Sequence, residues 1–400
     1  MLTVSRTVNS VSPSATMVVA ARSAQLRAMG RHVLSLAAGE PDFTPPDHVL
    51  AAAAESCSAR ATHRYSGSAG LPELRAAMAS AMAGEASPDE IVVTSGAKQA
   101  VYVAMAVLLN PGEEVLIPTP YWTTYPEAAR LVGAEPVFVA TNPEGKVLVE
   151  SLEEAWTDRS RIVVIGSPSN PTGAVYSSTE LEVIAEWALR RGITVLSDEV
   201  YEHLIFDGRT FASIREVSPE MAAATVTVHA VSKTYGMTGW RVGWLHGPGP
   251  IAAAAAKVQS HLTSNVSNIA QTAALAALRG GLEHVPAAVA AFTRRRDLML
   301  QVLDGLPGVH TAEPAGAFYC FPDVSEVLSR GVNGRQFTDS IEFATYLLDE
   351  LGIAVIPGEA FGAPGHIRLS FAASDRDVVD AMSGLQRMLG GWSDETGHTH

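Results

Sequence analysis

Lys233 follows an apolar run, TVTVHAV, by a single serine and precedes a glycine-containing turn. A lysine held there in a partly desolvated pocket loses affinity for its proton, and a neutral amine can attack an aldehyde. The competing readings are a surface lysine and a phosphate-binding lysine. Asp198 closes another apolar run, ITVLSD. A buried carboxylate at that place could face a cation such as a protonated pyridine nitrogen, whereas a lone aspartate is more often a cap or a structural ion partner. Ser95-Gly96-Ala97-Lys98-Gln99 opens a helical stretch, and N–H groups at a helix start suit a phosphate, although a plain cap reads the same way. Ser232 and Arg241 bracket Lys233 and could add a hydroxyl and a guanidinium to that anion.

These residues need elements to hold them. Short apolar runs at 91–94, 114–118, 135–139, 161–166, 193–198, 225–230 and 242–247 alternate with alanine-rich helical stretches such as 96–109, 122–132 and 177–191. Strands apolar on both faces and separated by helices predict an α/β fold with a mostly parallel seven-stranded sheet covered on both sides. Ligands of such sheets bind beyond the carboxyl ends of the strands, which is where the polar residues above fall. The pattern changes near residue 285: a charged helix over 287–305, helices near 337–351 and at the end, and the strands IAVIP and HIRLS predict a smaller α+β domain completed by a helix over 15–30 that Gly30 closes. The expected division is residues 39–286 as the large domain, and residues 1–38 with 287–400 as the small one.

Composition narrows the function. With 47% apolar residues the 400-residue chain can bury a sizeable core. It has no run of eighteen apolar residues, which predicts no membrane span, and its first residues lack the basic-then-apolar form of a signal peptide. Two distant cysteines, Cys57 and Cys320, do not form a disulfide framework and fit a reducing cytoplasm. A net charge of -14 argues against a nucleic-acid partner but leaves room for an anionic small molecule in a local basic pocket. No GxxxxGK[ST], no strand-borne GxGxxG and no HExxH occurs, so a P-loop ATPase, a nicotinamide enzyme and that type of zinc protease lose support.

The segments AAGEPDF (37–43), YSGSAGLPELR (65–75), SGAKQA (95–100), PYWTTYPE (120–127), SPSNPTGAVY (167–176), SDEVYEHL (197–204), SKTYGMTGWRVGW (232–244), GAFYCF (316–321), VIPGEAFG (355–362) and HIRLSFA (366–372) stand in the order and spacing of one family. The chain resembles the class I, fold-type I aminotransferases dependent on pyridoxal 5'-phosphate along nearly its whole length, with the bacterial aspartate (aspartate/prephenate) branch as the nearest likeness. The resemblance implies that Lys233 carries the cofactor as a Schiff base and then moves the substrate Cα proton. It implies that Asp198 pairs with the ring nitrogen, and that Asn170 and Tyr201 bond the ring oxygen. Trp122 would stack on the ring, where it could otherwise be an ordinary core aromatic. Gly96, Ala97, Lys98, Ser232 and Arg241 would surround the phosphate side, with Tyr65 reaching the phosphate from the second subunit of a homodimer. Arg368 would grip the substrate α-carboxylate in two parallel bonds, helped by the backbone of Gly39, with Trp122 and Asn170 also bordering the substrate.

For the substrate side chain, Lys98, Ser14 and Thr16 match positions that close over a distal carboxylate, which favours aspartate or glutamate as donor and a 2-oxo acid as acceptor in a ping-pong cycle. Lys98 could instead be a solvent-facing helix residue. His229, Ala97, Gly236 and Trp244 depart from the usual pattern; His229 reads as a satisfied, partly buried histidine and not as an acid or base. The alternatives are a lyase, cyclase or oxidase on the same cofactor, a transaminase for aromatic, prephenate-type or other amino acids, and a regulatory module that has lost catalysis.

Overall fold

The computed structural model describes residues 2–82 and 84–390; residues 391–400, part of the expected small domain, lie outside the described residues. The described residues form twelve strands. A short β1 (Leu34–Ser35) precedes β2 (Ile91–Thr94), β3 (Glu114–Thr119), β4 (Glu135–Ala140), β5 (Ser160–Gly166), β6 (Thr194–Asp198), β7 (Thr225–Ala230) and β8 (Gly243–His246). The chain then adds β9 (Tyr319–Cys320), β10 (Ile353–Ala354), β11 (Ile356–Pro357) and β12 (Ile367–Ser370).

The seven apolar runs are the seven strands β2 to β8, which form one sheet in the order β2-β8-β7-β6-β5-β3-β4. The sheet is parallel apart from β8, which runs antiparallel to both β2 and β7. Ile91, Val93, Ile162, Val163, Val195 and Val228 are buried because helices cover both faces, and each such side chain contributes about 1.5–3 kcal/mol on leaving water. The helix Ser178–Arg191 shows how local chemistry sets the covering elements. A capping box of Ser177 and Glu180 starts it, and Gly192, at φ +66°, ends it.

The helices at Ala97–Leu108, Thr124–Leu131 and Val285–Leu303 fall where the pattern placed them. The helix expected over 337–351 is shorter and changes character. It is α-helical over Ser340–Tyr346, then winds as a π-helical turn over Leu347–Leu351 that Gly352 terminates at φ +67°. The run IAVIP divides into β10, which pairs in parallel with β1, and β11, which pairs antiparallel with β12. The largest core cluster runs from Val103 and Met105 of the helix behind the sheet to Phe318, Phe371 and Leu385. Residues of the segment up to Leu389 are therefore packed into the same core as the helix behind the sheet.

Candidate active site

Strands β2, β3, β5, β6 and β7 all end on one rim, and β8 starts there, so the segments that follow them are neighbours in space although far apart in sequence. Asp198, the last residue of β6, is 6% exposed. Burial pushes its pKa up; the hydroxyl of Tyr125, which donates to Oδ2 at 2.8 Å, and the charges of His229 and Lys233 work the other way. Lys233 sits in the single turn Val231–Thr234 that follows β7. Its Nζ donates to the carbonyl of Gly39 at 2.6 Å and lies 5.8 Å from the ring centres of Tyr201 and Phe318. Desolvation brings its pKa down to about 8; Glu40 opposes the shift, and Arg368 and Arg241 add to it. A neutral amine is therefore available near neutral pH, which a surface lysine does not offer.

Arg368, on β12, is 3% exposed. Nη1 donates to Oδ1 of Asn170 at 2.9 Å and Nη2 to the carbonyl of Ala37 at 2.8 Å, and the guanidinium lies 4.4 Å from the Tyr319 ring centre. Its Nε is buried without a hydrogen-bond partner. A buried guanidinium held only by neutral acceptors and still short of a bond is prepared for a carboxylate from outside. Tyr201, also buried, shares a 2.8 Å hydrogen bond with the hydroxyl of Tyr319, which stands against the backbone of Gly39.

The rim carries a second cationic corner. Gly96 turns at φ +81°, and a Cβ there would come within 2.5 Å of Nη2 of Arg241, so only glycine lets that guanidinium lie against the start of the helix Ala97–Leu108. Arg241 donates to the carbonyls of Thr238 and Ser95 and forms no ion pair with a carboxylate among the described residues. Ser232 is buried one residue before Lys233. The Gly96 N–H is engaged by the carbonyl of Thr94, which leaves the helix's own first N–H groups, from Ala97 and Lys98, as the donors at that corner.

Beside this corner opens a crevice of about 1090 Å³, bordered by Ser14, Lys98, Tyr121, Arg241, Leu262 and Ile341 among others. Lys98 Nζ donates to Oγ1 of Thr124 at 2.7 Å and lies 4.9 Å from the Trp122 ring centre, and burial with the nearby Arg241 lowers its pKa. The residue is exposed, and its amine is tethered at the crevice wall by the bond to Thr124. Ser14 is the N-cap of the helix Ala15–Ala28 and lines the crevice; Thr16, in the first turn of that helix, does not border it. Tyr65 is 90% exposed and touches none of these residues within its own chain.

A family model described as aminotransferase class I and II matches residues 31–383. The chain belongs to this family. The aspartate aminotransferase of Streptomyces avermitilis is 47% identical over 392 residues, with 96% of each chain covered. An aspartate/prephenate aminotransferase of Cereibacter sphaeroides is 40% identical, over 98% of this chain and all of that one. The solved aspartate aminotransferase of Rhizobium meliloti superposes with a TM-score of 0.92 at 36% identity, covering 97% of this chain and 99% of the other.

Three residues of this aminotransferase site were not assigned roles from sequence. Tyr125 and Tyr319 lie inside PYWTTYPE and GAFYCF, but a tyrosine that bonds another buried group is indistinguishable in sequence from one that fills a core. His229 is the third. It is 2% exposed and so more deeply buried than expected, and it faces two carboxylates, Glu199 and Glu202.

Proposed function

We propose that this aminotransferase holds pyridoxal 5'-phosphate over Lys233 and Asp198, that it takes aspartate or glutamate as amino donor and a 2-oxo acid as acceptor, and that it works as a homodimer in the cytoplasm. The single observation that carries this is the placement of Lys233, its pKa lowered to about 8, on the same rim as the buried Asp198, the buried unfilled guanidinium of Arg368 and the Gly96–Arg241 corner. That donor set suits a molecule with an aldehyde, a basic ring nitrogen and a phosphate. The glycine that a Cβ would crowd at 2.5 Å supports the fit at the phosphate end.

When bound, the cofactor supplies a carbonyl that captures the amino group and a ring that delocalises the electron pair left at Cα. The remaining work falls to the chain. Lys233 binds the cofactor and, once released, moves the proton to and from the substrate Cα. Asp198, steadied by Tyr125, holds a proton on the ring nitrogen. Asn170 and Tyr201 bond the ring oxygen, Trp122 covers the ring, and Ala97, Ser232 and Arg241 hold the phosphate with Gly96. Arg368 orients the α-carboxylate, beside Gly39, so that Cα–H faces Lys233. Lys98 and Ser14 lie where a second carboxylate on the substrate side chain could enter, and Thr16 follows Ser14 in the first turn of its helix. The exposure of Tyr65 supports a contact with a second subunit's phosphate. The parallel pairing of β1 with β10 supports grouping residues 1–38 with 287–400 apart from 39–286.

Purified chain stripped of cofactor and titrated with pyridoxal phosphate should turn yellow, and borohydride reduction should leave the added mass on the peptide that carries Lys233. Adding aspartate or glutamate should then bleach the long-wavelength band of unreduced enzyme. Mass on another lysine would overturn the placement of the cofactor. Bleaching by phenylalanine but by neither acidic amino acid would overturn the donor assignment and leave the placement intact.

A further inference from the structure

His229 and Trp244, two of the four positions that depart from the usual pattern of the family, touch each other. They are register partners across β7 and β8, and their rings stack with centres 5.2 Å apart and planes 13° from parallel. The imidazole is buried, and both of its nitrogens face carboxylates. Nδ1 lies 3.3 Å from Oε1 of Glu202, and Nε2 lies 3.6 Å from Oε2 of Glu199 and 3.1 Å from the hydroxyl of Thr227. Glu199 and Glu202 come from the chain immediately after Asp198, and the Glu199 N–H bonds the carbonyl of Val228 next to His229.

We propose that His229 is held as an imidazolium between Glu202 and Glu199 and acts as a positioning residue that keeps the Asp198 carboxylate ionised for the cofactor's ring nitrogen. This rests on the cofactor placement proposed above.

Three observations carry it. First, Nδ1 is within hydrogen-bonding distance of the Glu202 carboxylate, and Nε2, which bonds the Thr227 hydroxyl, has the Glu199 carboxylate at ion-pair distance, so negative charge flanks the buried ring on both sides. An indole face against it is the surface that a cation prefers. Second, burial disfavours the charged ring, but Glu202, Glu199 and Asp198 outweigh it and its pKa is raised. Glu202, whose own burial works in the opposite sense, is brought down by His229 and to a lesser degree by His203. The further groups around the cluster are Ser197 and Ser213 on Glu199, Tyr235 beside Glu202, and His246, whose pKa is lowered to about 4, which leaves it neutral. Third, His229 and Lys233 both act on Asp198 in the direction that favours its ionised form. Lys233 is the residue proposed to bind the cofactor, so its free ammonium would no longer stand beside Asp198 when the site is loaded. His229 is the cation that stays.

Glu199, Glu202 and His229 also bring one ligand atom each within 4.8 Å of the others, the geometry of a possible metal cluster. A metal needs a ring nitrogen with a free lone pair, and an imidazolium has none.

The cofactor-free full chain, labelled with ¹⁵N-histidine, should show one imidazole with both nitrogens protonated at pH 7.5. That signal should vanish in His229→Asn, and its titration midpoint should fall by about one unit or more in Glu202→Gln. A neutral ring at that pH, or a ring shifted by a bound metal, overturns the proposal. In cofactor-loaded enzyme, His229→Asn should move the pH midpoint of the long-wavelength band upward by about one unit and lower kcat about tenfold, with KM for the amino acid unchanged. A merely structural role would lower the melting temperature and leave that midpoint in place, which also overturns it. Failure of the chain to take up pyridoxal phosphate at all would instead count against the cofactor placement, because the imidazole measurement is made on unloaded protein.

Discussion

The two ends of the site are built differently. At one end Asp198 and Arg368 are buried and Lys233 half-buried, each is held by a named partner, and several contacts bring together residues more than seventy positions apart: Tyr125 with Asp198, Gly39 with Lys233, Asn170 with Arg368. Around Ser14 and Lys98 the crevice is wide, its walls include the exposed side chains of Val18, Leu262 and Ile341, and its polar ties, such as Lys98 to Thr124 and Gln99 to Thr263, each involve an exposed side chain. Low dielectric and fixed partners make charges effective and geometry rigid at the first end; solvent and apolar walls leave the second tolerant. On the function proposed above, reaction type would be set where the structure is over-determined, and substrate choice where it is loose.

That contrast has measurable consequences. Lys233→Ala should lower kcat by about 10⁴-fold, because it removes the group that moves the Cα proton; the measurement is a single-turnover reaction with aspartate, and a loss below about tenfold would erase the distinction between the two ends. Arg368→Lys should cost about 100-fold in kcat/KM for every amino acid tested, since the planar fork held by Asn170 and Ala37 is lost whatever the side chain of the substrate. The rate at which unloaded protein takes up pyridoxal phosphate should rise about tenfold between pH 7 and pH 9 and then level off. The sign follows from a Lys233 pKa brought down to about 8: raising the pH through that value frees the amine, and stopped-flow absorbance reads it. Smallest of all, Lys98→Met should lower kcat/KM for aspartate about fivefold and leave phenylalanine unchanged, because an exposed lysine contributes roughly 1 kcal/mol. Equal losses for both substrates would show that the crevice is as tightly coupled to the chemistry as the buried end.

Much of the buried end was legible in the sequence. Asp198 and Lys233 could be placed because an apolar run followed at once by a charged residue marks a strand end, and the strand ends of a parallel sheet share a rim. Arg241 and Gly96 could be grouped by their flanking motifs, although the reason Gly96 is glycine, the guanidinium lying where a Cβ would be, appears only in three dimensions. The shortened helix before β10 was not legible. Its apolar spacing continues through Leu347–Leu351, and nothing local distinguishes an α-turn from a π-turn that ends on a left-handed glycine.

By itself the sequence determined the sheet, the order of its rim segments and the family, because periodicity and motif spacing are properties of the chain alone. The tertiary structure decided the protonation environment. It gave Lys233 its lowered pKa, left Arg368 one bond short, turned Tyr319 onto Tyr201, and wedged His229 between two glutamates against Trp244. Each of these depends on burial and on partners distant in sequence, and the free energy of a charge is set by what surrounds it in space, which the order of residues does not state.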